Sequence, residues 1–267
     1  MPTYGSGRHE HGQNFLDDAN IKNRIIGLVS QTRGPIIEIG PGRGALTRDL
    51  HDLQRPLTAV EVDAKQVRSL RSQLNRDVRV VNDDFLRWRL PDHPHVLVGN
   101  LPFHLTTAML RKVLRAPGWT DAVLLVQWEV ARRRAGVGGA SMMTAQWWPW
   151  VDFAQQGRVP ASAFTPAPNV DGGILTMTRR SESLLERDDQ ADYREFVHAV
   201  FTGRGRGLAA IMSPLVARRQ RHVIKECLDR AGVRPTALPK DLTAAQWVAL
   251  FTAVRRSSAQ RTGVPQQ

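Results

Sequence analysis

The feature that most constrains the fold is the alternation, over the first two thirds of the chain, of short aliphatic runs with segments of helical periodicity. This alternation predicts a parallel β-sheet whose strands are joined by crossover helices. The predicted strands are 35–40, 57–63, 78–84, 96–100, the first part of 121–134, and 173–180. The predicted helices are 18–31, 44–53, 64–74, 106–116 and the remainder of 121–134.

The pattern changes at about residue 181, after which helical periodicity continues without strand-like runs. We therefore predict two domains, an α/β domain over 1–180 and a small helical domain over 181–267. The glycine, histidine and charged residues of 1–12 predict a flexible start, and the polar segment 258–267 predicts a disordered tail.

The charge balance favours a polyanionic partner. The chain has 37 Lys and Arg against 25 Asp and Glu, for a formal net charge of +12. Nucleic acid fits this excess, although an acidic membrane or a generally arginine-rich composition also would. No apolar run reaches the roughly 20 residues that a membrane span needs, and the N-terminus lacks a signal-peptide core, so we expect a cytoplasmic protein. The single cysteine excludes an internal disulfide framework, and we predict no metal site.

The segment IIEIGPGRGALT (36–47) predicts a strand that ends in a glycine loop and leads into a helix. A dinucleotide site would prefer the spacing G-x-G-x-x-G, but here the spacing is G-x-G-x-G, with Glu38 two residues before the first glycine. A carboxylate at this place would repel a diphosphate. The loop therefore favours a ligand with a cationic or neutral end, such as S-adenosylmethionine.

Two further carboxylates end the next two predicted strands. Glu61 can accept both ribose hydroxyls of a nucleoside, and Asp84 can accept the exocyclic amine of adenine, with Phe85 packing on the ring. Because ligands of such sheets bind at the carboxyl edge of the strands, we expect these acids to lie together. Each of them taken alone is equally compatible with a helix cap or a turn, and we interpret Asp63 as a cap.

The fourth predicted strand ends in Asn100-Leu101-Pro102-Phe103. The exocyclic nitrogen of adenine is a poor nucleophile because its lone pair is delocalised into the ring. The side-chain oxygen of Asn100 and the backbone carbonyl of Leu101 can accept its two N–H groups, Pro102 stiffens the turn, and the ring of Phe103 can stack on the base. A tight strand-to-helix turn with a core phenylalanine is the alternative.

Seven motifs occur in the order found in ribosomal RNA adenine N6-methyltransferases, which the chain therefore resembles: GQNFL (12–16), EIGPGRGALT (38–47), VEVD (60–63), NDDFL (82–86), GNLPF (99–103), LLVQWEVARR (124–133) and FTPAPNVDGGI (164–174). The resemblance implies a Rossmann-like, class I S-adenosylmethionine-dependent methyltransferase domain with a mostly parallel seven-stranded sheet, followed by a small C-terminal helical domain that binds RNA. It implies that the cofactor is bound by Asn14, Leu16, Gly40, Glu61, Asp84 and Asn100. It implies that the target adenine is held by Asn100, Leu101, Phe103 and Phe164.

The chain resembles two branches of this family, and particular motifs distinguish between them. One branch dimethylates small-subunit ribosomal RNA, and the other modifies a large-subunit adenine and confers macrolide–lincosamide–streptogramin B resistance. The tryptophan-rich segment 127–153 and the sequence Asp171-Gly172-Gly173 resemble the resistance branch. We therefore expect a monomeric enzyme acting on 23S-type ribosomal RNA, with a small-subunit dimethyltransferase, a non-enzymatic RNA-binding protein on the same fold, and a nicotinamide oxidoreductase as alternatives. The candidate phosphate contacts are basic residues, for each of which a solvated helix face is the alternative: Arg111, Lys112, Arg115, Arg132, Arg133, Arg134, Arg204 and Arg206.

Overall fold

The computed structural model describes residues 14–74, 77–216 and 221–259, and its central element is a seven-stranded sheet. The sheet has the strand order β4-β3-β2-β5-β6-β9-β7. Its strands are β2 (Ile36–Ile39), β3 (Leu57–Glu61), β4 (Arg79–Asn82), β5 (His95–Asn100), β6 (Trp119–Gln127), β7 (Val151–Val159) and β9 (Gly172–Arg179). Two short strands, β1 (Phe15–Leu16) and β8 (Phe164–Thr165), form a separate antiparallel pair.

The strands from β4 to β6 are parallel to their neighbours, whereas β9 runs antiparallel to β6. All four residues of β2 are buried because helices cover both faces of a parallel sheet, which explains why three of the four are isoleucine. The predicted mostly parallel seven-stranded sheet is confirmed. Strand order changes direction at β2, so the loops after β2, β3, β4 and β5 meet at one edge.

The helices of this part of the chain fall where helical periodicity was predicted. Asp18 caps the first helix by accepting from the Ile21 amide, and Asp63 caps the third by accepting from the Lys65 amide, as predicted for Asp63. The second helix begins three residues later than predicted because the glycine loop extends to Leu46. The helices are α1 (Ala19–Ser30), α2 (Thr47–His51), α3 (Ala64–Gln73), α4 (Thr106–Arg115) and α5 (Trp128–Arg134).

Strand β7 had no counterpart in the sequence prediction. Its sequence, VDFAQQGRV, has as many polar as apolar residues, and most of its residues are half-buried or exposed. An edge strand of this kind lacks the aliphatic run that marks a strand buried on both faces. Its formation depends on pairing with β9, its neighbour in the sheet, which no local pattern reveals.

The chain divides into two compact units, one comprising Met1–Arg132 with Ala154–Arg179, and the other Arg133–Phe153 with Arg180–Gln267. The sequence placed 133–153 with the first domain, whereas its contacts group it with the helical residues after 180. The second unit contains the helices α6 (Met142–Trp147), α7 (Gln190–Thr202), α8 (Leu208–Met212), α9 (Arg221–Arg230) and α10 (Ala244–Ala259).

Aromatic residues form the core of the second unit. The Tyr193 ring lies edge-on to Trp150 and to Phe251, and its hydroxyl donates to the carbonyl of Ala145 at 2.9 Å. Burial of this hydroxyl raises the pKa of Tyr193. Helix α10 continues through Ala259 and so includes the first two residues, 258 and 259, of the predicted disordered tail.

The predicted flexible start at 1–12 and the remaining tail residues, 260–267, lie outside the described residues. Within the described ranges, the helices all fall short of the length and apolar character needed to cross a bilayer.

Candidate active site

A cavity of about 290 Å³ lies at the carboxyl edge of β2, β3 and β5 in the first unit. It brings together eight of the nine residues that the sequence analysis named for the site. These eight residues are Asn14, Leu16, Gly40, Glu61, Asp84, Asn100, Leu101 and Phe103. Phe164 is the exception, since it does not line this cavity.

The glycine loop gives a ligand access to the backbone. Gly40 has a φ of +65°, and a Cβ built at this position would meet nothing within 4 Å. Glycine tolerates this left-handed conformation without strain, and the open space allows a ligand to approach the main chain closely. Gly42, with a φ of +54°, turns its amide toward β3 and donates to Oε2 of Glu61 at 2.9 Å.

Glu61 is buried at the end of β3, and both of its carboxylate oxygens are occupied by backbone donors. Oε2 accepts from the Gly42 amide and Oε1 from the Asp63 amide, each at 2.9 Å. These bonds fix the carboxylate between the glycine loop and the start of α3. Each oxygen retains a second acceptor site, so Glu61 can still accept ligand hydroxyls.

Glu38 is a carboxyl group that lies in the cavity wall without a counter-charge. Its side chain is 2% exposed, and its Oε2 has no hydrogen-bond partner among the described residues. Burial raises the pKa of Glu38 to about 8, partly offset by the Thr47 hydroxyl and reinforced by the nearby charge of Glu61. A cationic ligand group in the cavity would supply the missing counter-charge.

The conformation of the loop after β4 is stabilised by two aspartates within the loop, Asp83 and Asp84. Oδ1 of Asp83 accepts from the Asp84 amide at 2.7 Å, and Oδ1 of Asp84 accepts from the Leu86 amide at 2.9 Å. Asp84 and the buried ring of Phe85 both line the cavity. The arrangement offers a carboxylate beside a flat apolar surface, as a purine site requires.

Lys112 has a role that sequence reasoning missed. Its ammonium donates to the carbonyls of Leu86 at 3.1 Å and Trp88 at 2.6 Å, and it lies 5.6 Å from the centroid of the Phe85 ring. Burial lowers the pKa of Lys112, against the opposing pull of Asp84 and Asp83. The prediction that Lys112 is a phosphate contact is therefore corrected, because the residue holds the loop after β4 against α4.

The amide of Asn100 is oriented by the N-terminal segment. Its Nδ2 donates to the backbone carbonyl of Asn14 at 2.7 Å, so Oδ1 remains as the acceptor of this side chain, which lines the cavity. The Leu101 amide donates to Leu125 of β6 at 2.9 Å, and no donor among residues 14–74, 77–216 and 221–259 reaches its carbonyl oxygen. Two unused acceptors thus follow β5, as the target-loop hypothesis requires.

The two predicted stacking residues lie against each other. Phe103 is half-buried in the cavity wall, and Phe164 is 3% exposed, within the main core cluster. Their ring centroids are 6.4 Å apart at an interplanar angle of 77°. Phe164 also pairs with Leu16 in the short β1–β8 ribbon, which links the N-terminal segment to this aromatic pair.

Phe15 is a second residue near the site that the sequence did not predict. A Cβ on Gly42 would lie 3.0 Å from its ring, and the guanidinium of Arg43 lies 4.2 Å from the ring centroid. Phe15 therefore packs on the glycine loop, with an arginine against its ring. The motif QNFL identified the segment, but not which of its side chains contacts the loop.

The chain is similar in sequence and in structure to known proteins of one family. The sequence model described as ribosomal RNA adenine dimethylase matches residues 5–255. The chain is 59% identical over 213 residues (79% of this chain, 84% of the relative) to an rRNA adenine N-6-methyltransferase of Corynebacterium diphtheriae. It is 46% identical over 250 residues (93% and 79%) to the mycinamicin-resistance protein MyrB of Micromonospora griseorubida. The crystal structure of the 23S rRNA methyltransferase ErmE superposes with a TM-score of 0.83 at 35% identity, covering 91% of this chain and 100% of that one.

Proposed function

Because this chain belongs to the ribosomal RNA adenine dimethylase family, as an S-adenosylmethionine-dependent rRNA (adenine-N6)-methyltransferase, we propose that its substrate is one adenine of large-subunit ribosomal RNA. Methylation of that adenine would give resistance to macrolide, lincosamide and streptogramin B antibiotics. The observation that carries the proposed chemistry on adenine is the pair of acceptors on Asn100 and Leu101, which have no donor among the described residues and lie beside the cofactor cavity.

The cavity offers partners for the ammonium, ribose and adenine groups of S-adenosylmethionine. The orphaned carboxyl oxygen of Glu38 suits the methionine ammonium, and the open space over Gly40 allows close approach to the main chain. Glu61 would accept the ribose hydroxyls. Asp84 would accept the adenine amine, with Phe85 against the ring. Asn14 and Leu16, which line the same cavity, would cover the methionine end.

When bound, the cofactor supplies an electrophilic methyl group on sulfonium. The protein then has to present N6 of the target adenine in line with that methyl group. Oδ1 of Asn100 and the carbonyl of Leu101 would accept the two N–H groups, drawing the nitrogen toward tetrahedral geometry and freeing its lone pair. Phe103 would stack on the extruded base, and Phe164 supports the ring of Phe103 from the side.

This chemistry needs no strong general base. The methylated nitrogen carries an acidic proton that water or the acceptor oxygens can take. Preorganised acceptors and alignment therefore supply the main catalytic contributions. Phe103 is only half-buried in the cavity wall, so part of its ring surface remains available for stacking.

The choice of large-subunit RNA is supported by the named relatives. The similarity at 46% identity is to a protein named for mycinamicin resistance, and the similar crystal structure is described as a 23S rRNA methyltransferase. The sequence Asp171-Gly172-Gly173 also resembles the resistance branch. We further propose that the protein acts as a monomer in the cytoplasm, where ribosomal RNA is available.

The test is to incubate deproteinised large- and small-subunit ribosomal RNAs separately with labelled S-adenosylmethionine and to map the modified base. We expect one labelled adenine in the large-subunit RNA, and raised macrolide and lincosamide tolerance in a sensitive host. Asn100→Ala is the matched control and should give neither. Label confined to small-subunit RNA would establish the dimethyltransferase alternative, and no label in either RNA would favour a non-enzymatic RNA-binding protein.

A further inference from the structure

A second cleft in the first unit, which we call the Trp128 cleft, is lined by Gln127, Trp128, Arg158, Asn169 and Asp171. Its volume is about 480 Å³, within the range of pockets that hold small organic groups. The mechanism above uses none of these residues. The cleft opens where β6 ends and α5 begins, so it lies at the carboxyl edge of the sheet.

The Trp128 cleft adjoins the proposed target loop. Strands β5 and β6 are parallel with Asn100 opposite Leu125, and Gln127 is only two residues further along β6. Gln127 pairs with Gly172, where a Cβ would lie 3.2 Å from the Phe164 ring. The end of β6 and the start of β9 therefore lie next to Phe164, and the residues there also form part of the wall of the Trp128 cleft.

Asp171 holds in place the two flat groups of the Trp128 cleft, the indole of Trp128 and the guanidinium of Arg158. Its backbone carbonyl accepts from the Trp128 amide at 2.9 Å, and its Oδ1 accepts from the Ala161 amide at 2.8 Å. Its Oδ2 accepts from Nε of Arg158 at 2.5 Å, which leaves the guanidinium 5.8 Å from the Trp128 ring centroid. An indole and a guanidinium plane are the surfaces on which proteins stack unpaired bases.

The charges and amides of the Trp128 cleft favour a nucleobase over a phosphate. Arg158 is already paired with Asp171, and the other charged group in the wall, Glu129, pairs with Arg132 at 3.4 Å. The side-chain amides of Gln127 and Asn169 make no hydrogen bond to any residue in the described ranges. A cleft with neutralised charge, flat groups and free amides matches the polar edge of a base.

We propose that the Trp128 cleft binds an unpaired base adjacent to the target adenine in the same RNA strand, stacked against Trp128 and Arg158 with its edge read by Gln127 and Asn169. This assignment rests on the proposed function, because it needs an RNA strand whose target adenine is extruded beside Asn100. It makes these side chains determinants of which adenine is methylated, separate from the groups that activate the nitrogen.

The test uses the full-length protein and a synthetic RNA stem-loop that carries the mapped adenine. In a series of such RNAs, each of the two nucleotides on either side of the adenine is replaced in turn by an abasic residue. We compare kcat/KM for the wild-type protein, Trp128→Ala and Asn169→Ala. Trp148→Ala is the matched control, since it removes a half-buried tryptophan from the second unit. Cofactor binding checks that each variant is folded.

We expect one abasic position to lower the wild-type kcat/KM by about 5- to 150-fold, the effect of losing one stacked base. Trp128→Ala should show a similar loss on intact RNA and no further loss at that position, because both changes remove the same contact. The Trp148→Ala protein should keep the wild-type sensitivity. Asn169→Ala should weaken the preference for base identity at that same position, which tests the cleft even where Trp128→Ala fails to fold.

The proposal is overturned if wild-type and Trp128→Ala proteins respond equally to every abasic position, or if no position affects the wild type. An unchanged base preference in Asn169→Ala would likewise count against it. A wild-type protein that methylates no ribosomal RNA would instead remove the proposed function, and this result appears before any variant is compared.

Discussion

The buried carboxyl group of Glu38 makes the stability of the cofactor-free protein depend on pH in a way that Glu38→Gln should remove. Its pKa rises from 4.5 to about 8 on folding, chiefly because burial disfavours the charged form. A raised acid pKa means that the folded protein holds the proton more tightly than the unfolded chain. The contribution to stability is therefore complete below about pH 4.5 and is lost as the pH rises toward 8.

The size of this effect follows from the shift. Between these two pKa values the free energy of unfolding should fall by about 1.4 kcal/mol for each pH unit, and at pH 7.5 the loss from this group should be about 4 kcal/mol. Glutamine has the same shape without the titration, so the stability of Glu38→Gln relative to the wild type should increase with pH over this range.

Urea unfolding at pH 5, 6, 7 and 8 measures the difference between the two proteins at each pH, which cancels the titration of all other groups. Glu129→Gln, which neutralises an exposed carboxylate, is the control and should follow the wild-type curve. S-adenosylmethionine should favour the charged form of Glu38, so its binding at pH 7 should release protons from the wild type but not from Glu38→Gln. Parallel pH curves for the wild type and Glu38→Gln would refute the argument.

Three further outcomes are expected. Asn100→Ala should abolish methyl transfer while S-adenosylmethionine still binds in calorimetry; equal turnover would remove Asn100 from the target loop. Glu61→Ala should raise the cofactor Kd by about 5- to 150-fold, the loss of 1–3 kcal/mol of paired hydrogen bonds; an unchanged Kd would show that Glu61 serves only to anchor the Gly42 and Asp63 amides. The affinity for ribosomal RNA should fall steeply as salt rises from 50 to 200 mM, because phosphate contacts release counterions; filter binding that shows a flat dependence would contradict an electrostatic RNA surface.

The sequence specified the parallel sheet and the edge at which its acids meet. Aliphatic runs such as 36–39 and 96–98 form strands buried on both faces, and crossover connections bring the carboxyl ends of successive strands to one side. The residues after those ends, Gly40, Glu61 and Asn100, therefore line one cavity. A local pattern suffices here because the spacing of apolar residues identifies each strand, and the parallel direction of the strands determines at which edge of the sheet the following loop lies.

What the sequence could not specify depends on partners distant along the chain. The amide of Asn100 is oriented by the Asn14 carbonyl, 86 positions away, and Lys112 binds carbonyls that precede it by 24 and 26 positions. Strand β7 lacks a continuous aliphatic run and pairs with β9 at the edge of the sheet. Phe164, expected to face the target, is buried in the core with its ring edge-on to Phe103.

The pKa of Glu38 illustrates most clearly the difference between what the sequence determines and what only the tertiary structure determines. The sequence determined that a carboxyl group precedes the glycine loop, and its position favoured a cationic ligand. Only the tertiary structure decided that this carboxyl group is buried, lies near Glu61 and has one oxygen without a hydrogen-bond partner in the part of the chain that the structure describes. Residue type and spacing set which groups can meet, whereas desolvation and charge depend on everything that packs around them.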